Sequence, residues 1–371
     1  MSAQLRPAAS AGALTAAEAE ILFASLAAEP SLLVAVSGGP DSVALLALLA
    51  EWAVAGQGRP LLHAATVDHG LRPEAAEEAV AVAALCARLG LPHRILRWQA
   101  DGPVDTALQA RARQARYALL AETARALGGA ALVTAHTLDD QAETLLMRMA
   151  AGSGPAGLAG MRACSRRDGV TILRPLLGIA KARLVASCAA RGLPSARDPS
   201  NDDPRFARVR WRALTPLLAR EGLTAGRLAT LAGRLARADA ALEQRVAVLL
   251  PRLCAPRGAE RIVDMAALAA EPDEIVIRLL GHVLADGDEE TAAPARLARL
   301  EACALALAEA ARQGRSLRRT LGGLMLGLSR QGRLVVGAEP QRRRGVHPDG
   351  KKPGRDARSR KASLGNDLSA T

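Results

Sequence analysis

The stretch Leu32-Leu33-Val34-Ala35-Val36-Ser37-Gly38-Gly39-Pro40-Asp41-Ser42 constrains the fold more than any other. Leu32 to Val36 is a short continuous apolar run, which suits a strand buried on both faces. Val43 to Ala50 is apolar too, but it continues through Glu51 and Trp52 to Gly56 and fits a buried helix. Between them, two glycines let the backbone turn tightly and approach a ligand. N–H groups at the start of the following helix then face outward, where turn and helix dipoles favour an anion. Asp41 is the odd member, because a carboxylate repels phosphate. Its presence is explained if it holds a Mg²⁺ shared with the phosphates. The plainer alternative is a strand–turn–helix with Asp41 or Ser42 as N-cap. The complete six-residue string after a buried strand favours the phosphate site.

Ser37 to Ser42 resembles the pyrophosphatase loop of the ATP-adenylating superfamily, which includes GMP synthetases, tRNA thiolation enzymes and lysidine synthases. No Gly-Lys-Ser/Thr occurs in the chain, so this is not a Walker loop. The resemblance implies splitting of ATP between its α and β phosphates, with AMP left on an oxygen of the substrate.

Along the chain, Thr15 to Glu18 reads as a capping box opening a first helix. Leu61 to Val67 reads as a second strand ending at Asp68-His69-Gly70-Leu71-Arg72. Pro73 to Leu89 reads as a helix, His93 to Trp98 as a third strand, Thr106 to Leu127 as a helix, and Ala131 to Ala135 as a fourth strand. Alternating strands and helices predict a parallel sheet with right-handed crossovers. Ligands of such sheets sit beyond the carboxyl ends of the strands. Ser37, Asp68 and His136 each fall just past a strand end, so three segments should meet at one crevice.

His136-Thr137-Leu138-Asp139-Asp140-Gln141-Ala142-Glu143-Thr144 opens the next helix. Asp139 and Asp140 could cap it and offset its dipole, or serve a Mg²⁺ or an incoming ammonium group. His69 and His136 could equally be packed strand-end residues. Gly152 to Gly157 matches G-x-G-x-x-G formally, but it follows a helix and contains Pro155, so it reads as a flexible loop. On the helix from Thr106, Arg113 and Arg116 share a face, either solvated or placed for phosphate or RNA. Arg208 and Arg212 likewise share a face after the turn-rich Asp198–Asp202 run, and arginine serves a phosphate or a base edge.

Composition sets outer limits. A chain of 371 residues accommodates two or three domains, and with 2 % aromatics its core must rest on Ala, Leu and Val. The net charge of +12 suggests a polyanionic partner. Residues 341–371 hold nine basic and three acidic residues, half of that charge, and read as a disordered basic tail. Residues 1–221 read as the catalytic unit, and 222–340 as a mostly helical region with a short β-hairpin between Arg318 and Val336. No apolar run approaches the roughly 20 residues that span a bilayer. Five widely spaced cysteines without Cys-x-x-Cys argue against zinc, iron–sulfur or disulfide frameworks and for a reducing cytoplasm.

Five strings occur in order: Ser37 to Ser42, Val67 to Pro73, Ala135 to Thr144, Gly152 to Met161, and Asp198 to Asp202. Together they resemble the bacterial tRNA(Ile)-lysidine synthases, over roughly residues 30–218. The resemblance implies a Rossmann-like parallel sheet with helices on both faces, of the adenine nucleotide α-hydrolase type. It implies that ATP activates the C2 carbonyl of the wobble cytidine in the anticodon loop of an isoleucine tRNA. The ε-amine of free L-lysine then displaces AMP and leaves lysidine. Carried over by position, Ser37, Gly38, Gly39, Pro40, Asp41, Ser42, Asp68 and His136 would bind ATP, and Asp41 would hold Mg²⁺. Asp41, Asp139, Asp140 and Arg212 would be catalytic, while Arg113, Arg116, Arg208 and Arg212 would meet tRNA or lysine. Val209 stands where the family's Phe-x-Arg-Asn-x-x-Arg pattern has Asn. The C-terminal third resembles the family only loosely. A monomer and a homodimer both remain open.

Two rival readings share part of these motifs: a tRNA 2-thiolation enzyme of the same superfamily, and a non-catalytic RNA-binding protein with a degenerate nucleotide fold. Thiolation routes sulfur through paired cysteines, and none lie near the loop. Intact Asp41, Ser42, Asp139 and Asp140 oppose the second. Replacing all five cysteines by Ser or Ala should leave lysine transfer intact. Loss of transfer in a folded variant, measured by mass spectrometry of the tRNA, would revive the thiolation reading.

Overall fold

The computed structural model describes residues 12–70, 73–98, 106–195, 203, 205, 207–285 and 294–339. Leu71, Arg72, the Asp198–Asp202 turn and the basic tail lie outside the described residues. Thr15 opens α1 (Ala16–Phe23) with the expected capping box: its hydroxyl accepts the Glu18 N–H, and the Glu18 carboxylate accepts the Thr15 N–H.

Every residue of β1 (Ser31–Ala35) is buried, because this strand lies inside the sheet. It pairs in parallel with β2 (Leu61–Asp68). Beyond β2 lies β3 (His93–Arg97), also parallel. On its other side β1 pairs in parallel with β4 (Ala131–Val133). Then come β5 (Cys164–Arg167) and β6 (Val170–Leu173), in the spatial order β3-β2-β1-β4-β6-β5. Only β5 is antiparallel, paired to β6 at the sheet edge. The sequence reading lacked β5. Its Cys-Ser-Arg-Arg composition suits a polar edge, but Asp168 and Gly169, both at positive φ, form the two-residue turn that a hairpin requires.

Helix α2 (Pro40–Ala55) follows β1, and ten of its residues are buried. Packed against the sheet with α1 on it, it cannot afford a polar stripe, which explains the unbroken apolar run Val43–Ala50. Phe23 meets Trp52 edge-on at 5.7 Å, and the Arg59 guanidinium lies 4.2 Å from the Trp52 ring centre. Helix α3 (Pro73–Arg88) joins the same face, and α4 (Thr106–Ala126) covers the opposite one with Tyr117, Leu120 and Ala124. Helices thus lie on both faces, as expected. Helix α5 (Leu138–Ala150) departs from the carboxyl end of β4.

The glycine-rich run from Gly152, expected to be a flexible loop, is held in place. It contains a helical turn, α6 (Pro155–Leu158). Arg148 Nη1 donates to the carbonyls of Gly157 at 2.7 Å and Gly160 at 2.9 Å. The Gln141 amide brackets Met161, accepting its N–H at 2.6 Å and donating to its carbonyl at 2.8 Å. Gly160 has φ of +74°, and a Cβ there would stand 2.7 Å from Gln141 Oε1. Only glycine fits. Helix α7 (Lys181–Ala190) then returns to pack on α2.

Helices α8 (Ala207–Arg220) and α9 (Ala225–Leu253) lie against α5, burying Leu145, Leu146, Leu228 and Ala232 together. Beyond them the chain holds more sheet than expected. Strands β7 (Cys254–Arg257) and β8 (Glu260–Asp264) precede α10 (Met265–Leu268), α11 (Asp273–Leu284) and α12 (Pro294–Arg312). Strands β9 (Leu317–Leu321), β10 (Leu324–Leu328) and β11 (Arg333–Ala338) complete a five-stranded sheet in the order β7-β8-β11-β10-β9. The expected hairpin is its β9–β10–β11 part. A second core of Val263, Met265, Leu279, Leu307 and Leu326 joins this sheet to its helices.

Candidate active site

The loop after β1 is locked from within. Ser42 Oγ accepts the Ser37 N–H at 3.1 Å and donates to the Gly39 carbonyl at 2.9 Å. Gly38 has φ of +85°, a conformation open to glycine at little strain. Gly39 is the N-cap of α2, with no side-chain cap bond, and Pro40 occupies the first helical turn. The plain reading of Asp41 or Ser42 as N-cap is therefore corrected: Ser42 holds the loop together, and Asp41 is left for another task.

Asp41 Oδ2 lies 3.2 Å from Lys181 Nζ, while its Oδ1 is buried without a hydrogen-bond partner. Burial pushes the Asp41 pKa up, Lys181 pulls it down, and the Asp140 and Asp139 carboxylates push it further up. Buried carboxylate oxygens are rarely left bare, since each unmade bond costs about 1–3 kcal/mol or more. A cation seated against Oδ1 would satisfy it, so the residue fits a Mg²⁺. Among the described residues no three His, Cys, Asp or Glu side chains are grouped to hold a metal. Such an ion would take its remaining ligands from phosphate and water, as Mg²⁺ commonly does.

Asp139 and Asp140 divide the labour. Asp139 Oδ2 accepts the Lys181 N–H at 2.8 Å and so caps α7 from a distance, which places Lys181. Asp140 closes a capping box with Thr137, accepting both its N–H at 2.8 Å and its hydroxyl at 2.9 Å. Its other oxygen takes Arg208 Nη2 at 3.0 Å. Burial would raise the Asp140 pKa, but Arg208 and the two Thr137 bonds outweigh it and hold the group below the ordinary carboxylate value. Glu143, one turn on, takes Arg208 Nε at 2.7 Å and Arg212 Nε at 2.8 Å. Its side chain is 5 % exposed. Arg208 and Arg212 do share a face, as predicted, and that face is turned to α5.

The sequence reading missed Glu143 and Lys181. Glu143 stands three residues past Asp140 and four past Asp139, so helical spacing could have found it. Lys181, a cation at a helix N-terminus where the dipole disfavours it, carried a weaker signal.

His136 Nδ1 lies 2.9 Å from Thr134 Oγ1. Burial first, then Arg174, Arg113 and Arg208, push its pKa down to about 4 against the pull of Asp140. Asp68 ends β2, and its Oδ1 accepts the Gly70 N–H at 3.0 Å. Arg113 and Arg167 flank Tyr117 at 5.6 and 5.0 Å from its ring centre. Arg116, on the same helix, is half-buried, and burial lowers its pKa. Among the described residues no carboxylate is placed against it. Cys188 donates its thiol to the Pro40 carbonyl at 3.3 Å. Burial and Asp41 push that thiol's pKa up, so it stays protonated.

Comparison with known proteins decides the family. Residues 14–218 match the PP-loop domain model. A tRNA(Ile)-lysidine synthase of Methylobacterium sp. (strain 4-46) is 52 % identical over 316 residues, covering 84 % of this chain and 90 % of that one. The chain belongs to the tRNA(Ile)-lysidine synthase family. A second member, from Rhodopseudomonas palustris, is 49 % identical and covers 90 % of this chain and 97 % of its own. Among solved structures, a U34-tRNA thiolase from Methanococcus maripaludis matches with TM-score 0.49 and 19 % identity, covering 58 % of this chain and 76 % of that one. No helix among the described residues is long and apolar enough to cross a membrane.

The His136 environment has a measurable consequence. The folded chain keeps His136 neutral down to about pH 4, whereas an ordinary imidazole protonates near 6.5. Its contribution is therefore complete above about pH 6.5 and is lost as the pH falls toward 4. Urea midpoints measured at about pH 7.5 and about pH 5 should fall for the wild type and fall less for His136→Gln. An equal fall in both proteins would contradict a buried neutral imidazole.

Proposed function

We propose that this chain ligates free L-lysine to C2 of the wobble cytidine of an AUA-reading isoleucine tRNA, releasing AMP and pyrophosphate. The observation that carries the reading is Asp41: a partly buried carboxylate with one bare, buried oxygen, at the head of a phosphate-type loop, beside Lys181 and under the charge of Asp139 and Asp140. The names of the relatives supply the substrate pair.

Backbone N–H groups of Gly38, Gly39, Asp41 and Ser42 hold the ATP phosphates, assisted by the helix dipole, while Ser37 and Pro40 fix the shape of the loop. Asp68 and His136 line the ATP side of the crevice, at the carboxyl ends of β2 and β4. A Mg²⁺ held by Asp41 would neutralise charge on the phosphates as pyrophosphate leaves. Lys181 supplies a further positive charge on the same side. The cytidine O2 attacks the α phosphate, so the oxygen becomes part of a good leaving group.

Asp140 receives the lysine ε-ammonium, and Glu143 holds Arg208 and Arg212 beside it. A carboxylate held below its ordinary pKa attracts a cation well but is a weak base, so Asp140 serves to place the amine. The ε-ammonium gives its proton to solvent, the freed amine attacks C2, and AMP departs with the former O2. Arg208 keeps Asp140 ionised, and Arg208 and Arg212 together orient Glu143. Arg113, exposed on α4, and its neighbour Arg116 would meet the anticodon-loop backbone, and the region from residue 222 with the basic tail adds attraction for the rest of the tRNA. The wobble base is unpaired, so entry needs no duplex opening.

Incubation of isoleucine tRNA with the protein, ATP, Mg²⁺ and isotopically labelled lysine should add the label to the wobble nucleotide. Mass spectrometry of the digested tRNA reads it. Sulfur incorporation, or ATP turnover without lysine transfer, would overturn the reading.

A further inference from the structure

Asp239 on α9 is a carboxylate with 3 % of its side chain exposed, and two arginines from different parts of the chain meet it. Arg278 of α11 donates to its Oδ1 at 2.7 Å. Arg162 donates to its Oδ2 at 3.2 Å. Arg278 is itself buried and also meets Glu243 at 2.7 Å and Glu274 at 2.8 Å. Burial opposes its charge, but the three carboxylates raise its pKa well above the usual value. Three carboxylates around one buried guanidinium leave negative charge in excess. His282 Nε2 reaches Glu243 at 2.8 Å, and Arg162 answers the charge at Asp239.

Arg162 belongs to the other half of the molecule. It directly follows Met161, whose N–H and carbonyl are both taken by Gln141. Its own carbonyl accepts Arg174 Nη1 at 2.8 Å. Gln141 sits on α5 beside Asp140 and two residues before Glu143. One short route therefore runs from the α9–α11 charge cluster through Arg162 and Met161 to the helix that carries the acidic side of the site. The Arg162 side chain is 63 % exposed, so it adds little to stability. An exposed arm reaching a buried carboxylate suits a contact that aligns two parts better than one that glues them.

We infer that the Arg162–Asp239 pair is a positioning contact that couples the C-terminal region to the placement of Asp140 and Glu143 when tRNA is seated. The inference rests on the lysine-transfer reading above. Both residues act through Gln141 and α5 and touch no substrate.

The test uses the full chain with Arg162→Gln and Arg162→Lys. Arg162→Gln should lower kcat/KM for lysine roughly tenfold, a coupling of ordinary size. The KM for ATP, the Kd for tRNA and the thermal midpoint should stay near wild type. Arg162→Lys should restore most of the loss. In an Asp239→Asn background, Arg162→Gln should add nothing further, because the pair is already broken. An unchanged lysine kcat/KM overturns the inference. So does a rate loss matched by equal losses in stability and tRNA binding, which marks a merely structural contact. If the wild type transfers no lysine, the functional reading fails. The inference, which needs lysine transfer, falls with it.

Discussion

The carboxylate of Asp41 is the constraint from which the site follows. It sits at the head of a helix whose next residues, Val43 to Ala50, are all buried, so the helix cannot turn to expose it. Fully burying one such Leu or Val contributes about 1.5–3 kcal/mol, and several do so here. Against that sum the partial burial of one charge is tolerable, provided cations gather round it. Lys181 is one, and it stands where it does because Asp139 takes its N–H. A carboxylate on one helix thus places the cation that serves a carboxylate on another.

Helix α5 distributes the remaining contacts. Successive side chains on a helix point about 100° apart, so neighbours in sequence serve different elements. Asp139 reaches α7, Asp140 and Glu143 reach α8, and Gln141 and Arg148 hold the strap from Gly157 to Met161. The apolar side of the same helix, Leu145 and Leu146, meets α9. A shift of α5 would therefore disturb the acidic side of the site and its link to the C-terminal region together.

The parts legible in the sequence were those whose chemistry is local. The strand–loop–helix around Gly38 and Gly39, the alternation of strands and helices, the Thr15 capping box and the shared face of Arg208 and Arg212 all depend on nearby residues. The partners of those arginines were not legible, because Glu143 lies far away in sequence. Lys181 gains its meaning only when α7 folds back beside the loop. Strands β5, β7 and β8 escaped because they are four or five residues long and show no sustained apolar alternation. Their turns at Asp168-Gly169 and Gly258-Ala259 held the signal. The glycine run from Gly152 looked loose because its restraints, Arg148 and Gln141, are side chains of a separate helix.

The most direct test of the account is Asp41→Asn, with AMP release and thermal unfolding measured on the same preparation. The change removes the charge and keeps the shape. If Asp41 serves the metal and phosphates, AMP and pyrophosphate formation should fall at least a hundredfold, about 3 kcal/mol in barrier. The unfolding midpoint should hold or rise, because a half-satisfied buried charge has been neutralised. A near-normal rate of AMP release from the folded variant, or a sharp drop in its stability, would contradict the account and return Asp41 to a structural role.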